Sequence, residues 1–290
     1  MAVLGGCATG SHSAAEADNA YQPAPEQALP VDTFALLREA TDHEALYTLV
    51  GGLKPMSTGI WRGSFAADTP DLAELRGVRA ALAPLRNDIW YADVQVFSKV
   101  HDGERAIHAF VVHRDALARM IDRYEGFWSP WGITPCTHPT EMVAVVDRMP
   151  KADRWRGYGY LFGYPAQAVD FFVEAGLAAN DGREVGPGKD RQFIQIPTYA
   201  AKTGRFTYVA PLHHAPTAED KALAAEARGI LEAFTERRPQ MRSVRSMTAE
   251  LRRLNRRFSQ ASSTNARTPE ARPSHGQARE RATHAVLDAR

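Results

Sequence analysis

Three histidines in two separate segments are candidates for metal or acid–base chemistry. His113 ends a predicted strand, and His213 and His214 follow another predicted strand one hundred residues later. Neutral imidazole binds transition metals and titrates near physiological pH. Asp115 or Glu141 would complete an open three-ligand arrangement of the kind that catalytic zinc uses. The pattern therefore indicates a metal-assisted hydrolase as one hypothesis.

The same histidines also fit a structural interpretation. No pair has the i, i+4 spacing of a zinc-protease helix, and histidines at strand ends are common hydrogen-bonding surface residues. His43 lies between Asp42 and Glu44, which favours a solvated helix face. His108 is five residues from His113 on one predicted strand, so the two side chains point to opposite faces and cannot share a ligand. The structural interpretation is the favoured one.

Aromatic residues alternate with glycines between Trp155 and Pro165. Glycines let a backbone approach a ligand closely, and tyrosines supply rigid, amphipathic contact surface. The segment predicts either a pocket for a sugar, peptide or aromatic compound, or a central strand that packs two helices closely; the latter is favoured. A second aromatic cluster at residues 127–132 joins the two halves described below and is predicted to plug their junction. The candidate ligand-binding residues are Trp155, Tyr158, Tyr160 and Tyr164, with Trp128 and Trp131 of the second cluster.

No motif is specific enough to name a reaction. Ser57 lies in Lys54-Pro55-Met56-Ser57, the reverse order of the Ser-Xaa-Xaa-Lys box, and no Gly-Xaa-Ser-Xaa-Gly elbow occurs. The glycines and lysine of residues 185–190 lack the spacing of a phosphate-binding loop. Acyl-enzyme chemistry is therefore discounted, no cofactor is predicted, and a non-enzymatic role is favoured.

The elements that position these residues indicate an α+β fold. Asp32 is a predicted N-cap, and a stop at Gly51-Gly52 ends the first helical segment, with a break near Thr41. Asp102-Gly103 is a hairpin turn signal. The first half, residues 31–126, is predicted to contain helices at 32–50, 72–85 and 115–124 and strands at 59–65, 89–100 and 105–113.

The second half, residues 127–239, repeats this order of elements about a hundred residues later. At an offset of 100 the two hairpins align without gaps, and His113 falls on His213. We therefore expect two α-β-α-β-β-α halves packed as one pseudo-symmetric unit, with a small-molecule pocket where they meet. The second half is predicted to contain helices at 140–149, 166–179 and 218–236 and strands at 157–164, 192–200 and 205–212.

The leader Leu4-Gly5-Gly6-Cys7, followed by a polar, Ala/Ser/Pro-rich stretch to Pro30, resembles the lipobox and tether of bacterial lipoproteins. The resemblance covers residues 1–30 only and implies cleavage before Cys7, an acylated thiol and anchoring to the cell envelope. Ala8 in place of Asp implies the outer membrane. Only six residues precede Cys7, without the basic and apolar regions of a signal peptide. Either the signal is truncated, or the match is accidental and the chain is cytosolic.

Composition and charge narrow the class of protein. The 290 residues are 44% hydrophobic and contain no apolar run near the ~18 residues that a membrane-spanning helix needs. Only two cysteines, Cys7 and Cys136, occur, which excludes a disulfide scaffold. Residues 1–240 carry 24 basic and 30 acidic groups, whereas residues 241–290 carry 11 arginines and 4 acids. A mildly acidic body thus carries a basic tail.

The tail divides into two predicted parts. Apolar residues from Val244 to Phe258 recur at helical spacing, which predicts a basic amphipathic helix at 240–258 that docks on the body, on a second copy or on an anionic membrane. Residues 259–290 have the composition of a disordered extension. Nucleic-acid binding through the arginines is a third function hypothesis, disfavoured by the lipobox. The leading hypothesis is a lipid-anchored envelope protein of binding or structural type, and the metal-assisted hydrolase is the alternative.

Overall fold

The computed structural model describes residues 29–180, 191–201 and 206–265. The described part is a mixed α+β fold, as the sequence predicts. Within the described residues, three short 3-10 helices accompany the regular elements. The helices are α1 (Thr33–Asp42), α2 (Leu46–Leu49), α3 (Ala73–Ala81), α4 (Arg114–Arg123), α5 (Glu125–Trp128), α6 (Pro139–Arg148), α7 (Lys151–Leu161), α8 (Ala166–Asn180), α9 (Ala218–Arg237) and α10 (Val244–Asn265). The strands are β1 (Met56–Ala66), β2 (Trp90–His101), β3 (Glu104–His113), β4 (Arg191–Gln195) and β5 (Thr207–Pro211).

A three-stranded antiparallel sheet forms the centre of the first half. Its order is β1-β3-β2, so β3 lies in the middle and pairs with both neighbours. The predicted hairpin between β2 and β3 is confirmed, and Asp102 and Gly103 take the positive φ angles, 51° and 78°, that its tight turn needs. The predicted helices of this half are also present.

The two faces of this sheet belong to two different cores. Alternate residues of β3 point to opposite faces. Val111 packs into a core shared with α1, α2, α3, α9 and α10. Phe110 and Val112 pack into a second core shared with α4, α6 and α7. The sheet is therefore the middle layer between two sets of helices.

The basic amphipathic helix predicted at 240–258 is present as α10 and docks on the body of the same chain. It begins at Val244 and continues to Asn265, so residues 259–265, predicted to be disordered, are helical. Met247, Leu251 and Leu254 are at most 3% exposed and join the first core. The buried amide of Asn255 accepts a hydrogen bond from the backbone N–H of Gly51 at 2.9 Å. Because the apolar stripe is covered by its own chain, it is not exposed to a membrane or to a second copy.

The strand predicted at 157–164 is wrong, because these residues lie in α7 and the turn that follows it. Pro150 precedes the helix as its N-cap, and Gly163 adopts a left-handed φ of 71° after it. Read at helical spacing, Trp155, Tyr158 and Phe162 share one face. The alternation of aromatic residues and glycine has the two-residue period of a strand, but the stretch is too short for this period to exclude a helix.

The predicted internal duplication is not confirmed. The described residues of the second half contain a two-stranded hairpin, β4-β5, and a helix where the matching strand was expected. The two halves do not share a sheet there, but they share a core: Ile196, Phe206 and Tyr208 pack with Tyr47 of the first half.

None of the helices in residues 29–180, 191–201 and 206–265 combines the length and the hydrophobicity needed to cross a bilayer. Cys7, the predicted tether up to residue 28, the predicted loop at 185–190 and the tail from residue 266 lie outside the described residues.

Candidate ligand-binding site

A cavity of about 580 Å³ lies where the sheet of the first half meets α7, α8 and the β4-β5 hairpin of the second half. Among the described residues no Lys, Arg, Asp or Glu side chain lines it, and most of the described wall is aromatic or aliphatic. The sheet contributes Thr58, Phe97 and His108. The second half contributes Trp155, Tyr158, Gly159, Phe162, Tyr164, Ala168, Val169, Phe172, Phe193, Thr207, Tyr208 and Val209.

Helix α7 carries the aromatic wall of the cavity. The ring of Trp155 packs edge-on against Phe172 of α8 at 5.4 Å between centroids, and Tyr158 stacks on Phe162 at 5.6 Å. Gly159 lets α7 and α8 approach each other, because a Cβ at this position would come within 2.7 Å of Val169 Cγ2. The glycine therefore sets the separation of the two helices that form this side of the cavity.

Three of the six predicted ligand-binding residues, Trp155, Tyr158 and Tyr164, line the cavity. The others do not line it. Tyr160, on another face of α7, stacks on Tyr124 with 3.9 Å between ring centroids. Trp128 is fully buried, with its indole N–H directed to the sulfur of Met120 at 3.2 Å.

Trp131 is partly buried against the same core as Trp128. The second aromatic cluster at residues 127–132 thus helps to pack the junction of the halves, as the favoured interpretation of that loop predicts. Its residues form no part of the cavity wall.

The β5 side of the cavity is held in place by a buried carboxylate. The ring of Tyr208 lines the cavity, and its hydroxyl donates to Asp220 Oδ1 at 2.6 Å. His214 Nε2 lies 2.7 Å from Asp220 Oδ2, and Thr217 also donates to this carboxylate. Burial alone would raise the pKa of Asp220, but the hydrogen bonds from Tyr208, His214 and Thr217 outweigh burial and lower it to about 2. The Tyr208 hydroxyl is thus committed to a structural partner.

Few polar groups face the cavity from the sheet. His108 packs edge-on against Phe97, with 4.8 Å between ring centroids. Burial lowers the pKa of His108, and the nearby positive charge of Arg62 lowers it further. The imidazole is therefore neutral at physiological pH.

The structure does not bring the candidate metal ligands together. His113 Nδ1 caps α4 by accepting from the N–H of Ala116 at 3.3 Å, and its Nε2 lies 3.1 Å from Asn255 Oδ1. His214 binds Asp220, and His213 is exposed in a turn with φ of 66°.

Over the described ranges, no group of three His, Cys, Asp or Glu residues is arranged to hold a metal ion. The predicted site of His113, His213 and His214 with Asp115 or Glu141 is therefore not formed. The physical reason is the missing pseudo-symmetry: the axis expected to bring the two strand ends together is absent.

Sequence reasoning missed a buried ion pair next to the cavity wall. Lys54 is 1% exposed, and its Nζ lies 2.5 Å from Glu44 Oε2 and over the rings of Phe206 and Phe162, at 4.6 and 5.4 Å. Burial lowers the pKa of Lys54, and the charge of Glu44 opposes that effect. Ser57, discounted as a nucleophile, shares a hydrogen bond of 2.8 Å with Thr48.

Sequence reasoning also missed several cavity residues. Phe172 and Phe193 are 42% and 61% exposed, which is unusual for side chains of this size, and both line the cavity. Phe162 was part of the aromatic segment, but its position on the Trp155–Tyr158 face follows only from helical spacing. That spacing was the signal that could have found it.

A second cavity of about 450 Å³ lies on the α4–α9 side of Tyr164. Its wall includes charged groups of both signs, among them Arg123 and Glu219, which pair with each other at 3.5 Å. Because this pair is exposed on the surface, it contributes little as a specific binding device. The apolar cavity is the better candidate for a ligand site.

Comparison of the chain with protein-family models, with curated proteins and with solved structures found no match.

Proposed function

We propose that this chain is a binding protein whose ligand is a largely apolar small molecule held in the 580 Å³ cavity. The observation that carries the proposal is the cavity itself: its volume lies within the ~300–1,000 Å³ of typical small-molecule sites, and its wall is predominantly aromatic. Trp155, Tyr158 and Tyr164, three residues that the sequence marks as ligand contacts, share this wall.

The exposed aromatic residues support the same function. Phe172 and Phe193 keep 42% and 61% of their surface in contact with solvent while lining the cavity. Each square ångström of apolar surface removed from water contributes roughly 25 cal/mol. A ligand that covers these two rings therefore gains binding free energy that the unliganded fold does not use.

The enzyme alternative has less support. A metal-assisted hydrolase needs three ligands that converge on one ion, whereas His113 and His214 are each engaged in separate structural hydrogen bonds. The third hypothesis, nucleic-acid binding through the arginine-rich tail, depends largely on residues outside the described ranges. It predicts salt-dependent binding that is lost when residues 266–290, which follow the core helix α10, are deleted.

We further propose that the protein is anchored to the cell envelope, with the outer membrane favoured, through an acylated Cys7. The support is the lipobox-like Leu4-Gly5-Gly6-Cys7 and the polar tether after it. Mass spectrometry of the native product tests this proposal. A diacylated, N-terminally processed Cys7 is the expected result, and an unmodified Cys7 with Met1 still attached would contradict it.

Fluorescence titration with N-phenyl-1-naphthylamine, an apolar dye that brightens on leaving water, tests the binding function. We expect one saturable site. Val209→Trp, which adds an indole inside the cavity, should weaken binding at least about tenfold. The matched control, Leu212→Trp, adds the same group at a 44% exposed position outside the cavity wall and should bind as wild type. Equal binding by both variants would contradict the proposal.

A further inference from the structure

Several polar side chains project from one face of the sheet toward the cavity side. In the register of the sheet, Thr58 lies opposite Phe110 and His108 lies opposite Gln95. Directly opposed residues share a face, as do residues two apart on one strand. Thr58, His108 and Gln95 therefore lie on the face that also carries Phe110, the face packed against α6 and α7.

The hydroxyl of Tyr158 is a donor that the fold leaves unused. It accepts a hydrogen bond from Gln95 Nε2 at 2.8 Å, and no described residue accepts its own proton. Burial raises the pKa of Tyr158 to about 12, so the phenol keeps that proton at physiological pH. Tyr158 is a lining residue of the cavity, so a ligand group that reaches its hydroxyl can take this hydrogen bond.

Two nearby oxygens are buried without a hydrogen-bond partner in the described part of the chain. They are Thr58 Oγ1, from a residue of the cavity wall, and Oε1 of Gln95, the side chain that holds Tyr158. A buried polar atom without a partner costs about 1–3 kcal/mol, so these two oxygens mark a polar strip of the sheet with unused hydrogen-bonding capacity. Both lie on the cavity-facing side of the sheet.

The charge of the wall restricts what this polar patch can bind. Among the described lining residues none is Lys, Arg, Asp or Glu, and His108 is neutral at physiological pH. A carboxylate or ammonium group that contacts only these residues would lose its hydration without a counter-charge in direct contact, which is far more costly than the transfer of a neutral carbonyl or hydroxyl group.

We propose that the cavity selects a neutral, largely apolar molecule that carries an oxygen acceptor, and that Tyr158 donates the hydrogen bond that recognises this oxygen. Thr58 and His108 of the sheet also line the cavity. Trp155, Phe162 and Phe172 contact the apolar remainder of the molecule. This inference rests on the proposed binding function and adds the chemical class of the ligand to it.

Competition against bound N-phenyl-1-naphthylamine tests the inference with three probes built on one ring system. They are 2-acetylnaphthalene, which carries a neutral acceptor, 2-isopropylnaphthalene, its hydrocarbon counterpart, and 2-naphthoate, its charged counterpart. We expect Tyr158→Phe to weaken the ketone about tenfold and to leave the hydrocarbon within twofold of wild type. The carboxylate should bind wild type at least about tenfold more weakly than the ketone at pH 7.5.

The matched control is Tyr208→Phe, the same change on the same wall. Its hydroxyl is already committed to Asp220, so the ratio of the ketone and hydrocarbon affinities should stay as in wild type. An unchanged ratio in Tyr158→Phe, or tighter binding of 2-naphthoate than of the ketone, would overturn the inference while leaving the binding function intact. Failure of N-phenyl-1-naphthylamine to bind wild type would overturn the binding function and this inference with it.

Discussion

Helix α7 presents similar residues to two very different surroundings. On one side, Tyr160 stacks on Tyr124 and packs edge-on near Trp128, which is fully buried. On the other side, Trp155 and Tyr158 border a cavity of 580 Å³. The amino-acid types are the same, but Trp128 is packed against protein on all sides, whereas Trp155 and Tyr158 border the apolar cavity. Tyr160 is intermediate, because it also lines the second, charged cavity.

The difference teaches that aromatic composition alone does not identify a ligand site. A packed aromatic cluster has its apolar surface covered by its own chain, so its contribution is to the stability of the fold. An aromatic wall with open volume still has surface to bury. We therefore expect substitutions on the two sides to separate stability from binding.

The largest expected difference is between Trp128→Ala and Trp155→Ala. Trp128 is fully buried, so its removal should lower the free energy of unfolding by about 3–5 kcal/mol. Trp155 is only partly buried, and its removal should cost about 1 kcal/mol. Urea unfolding measures both values. A greater loss of stability in Trp155→Ala would reverse the assignment of the two sides.

The buried ion pair behind the cavity wall sharpens the comparison, because it packs against the rings of Phe162 and Phe206. Glu44→Gln leaves the Lys54 ammonium group buried without its counter-charge, and breaking such a pair costs about 3 kcal/mol. Lys54→Met should cost less, since the charge left unpaired is then that of Glu44, whose side chain is 15% exposed against 1% for Lys54. Urea unfolding measures the loss of unfolding free energy in both variants. Equal losses would contradict a cost that comes from the unpaired buried charge.

The packing of α7 against α8 gives a smaller expected effect. Gly159→Ala would place a Cβ within 2.7 Å of Val169 Cγ2, and we expect a loss of about 2 kcal/mol in unfolding free energy because the two helices must separate. The control is Gly126→Ala in α5, where an added Cβ meets no atom within 4 Å. Thermal unfolding should show no loss there. A loss of similar size in both variants would assign the effect to the backbone and not to helix packing.

The smallest expected effect is a pH dependence of the free energy of unfolding that comes from the buried His113. Burial lowers the pKa of His113 below its unfolded value of about 6.5, although the hydrogen bond that His113 donates to Asn255 Oδ1 opposes this shift. The unfolded chain therefore takes up a proton first as the pH falls. The free energy of unfolding should decrease below about pH 6.5, by at most ~1.4 kcal/mol per pH unit for this histidine, and should be flat above pH 7.5.

Urea unfolding at several pH values checks this prediction. His113→Asn should reduce the slope below pH 6.5, whereas His101→Asn, on the exposed end of the β2-β3 hairpin, should keep the wild-type slope. A wild-type slope in His113→Asn would show that this histidine is not the group that titrates.

The first half of the fold could be predicted from local signals. Asp32 caps α1 by accepting from two backbone N–H groups, and Asp102-Gly103 forms the turn of the β2-β3 hairpin. These are short-range effects of side-chain capping and allowed φ angles, which act within a few residues. The apolar spacing of α10 likewise predicted a helix with one buried side.

The second half and part of the site depend on contacts that no local pattern contains. Residues 157–161 alternate like a strand, yet helical packing of Gly159 against Val169 decides their conformation. The cavity needs Phe97 and Phe193, which lie about a hundred residues apart in sequence. Once the segment is read as a helix, the shared face of Trp155, Tyr158 and Phe162 follows directly.

The most direct test of the central claim locates a bound molecule relative to the two sides of α7. Intermolecular nuclear Overhauser effects between N-phenyl-1-naphthylamine and valine methyl groups report contacts within about 5 Å. We predict contacts to Val209 and Val169, which line the cavity, and none to Val112, which is fully buried and does not line it. Contacts to Val112, or a bound probe without contacts to Val209 and Val169, would contradict the assignment of the cavity as the ligand site.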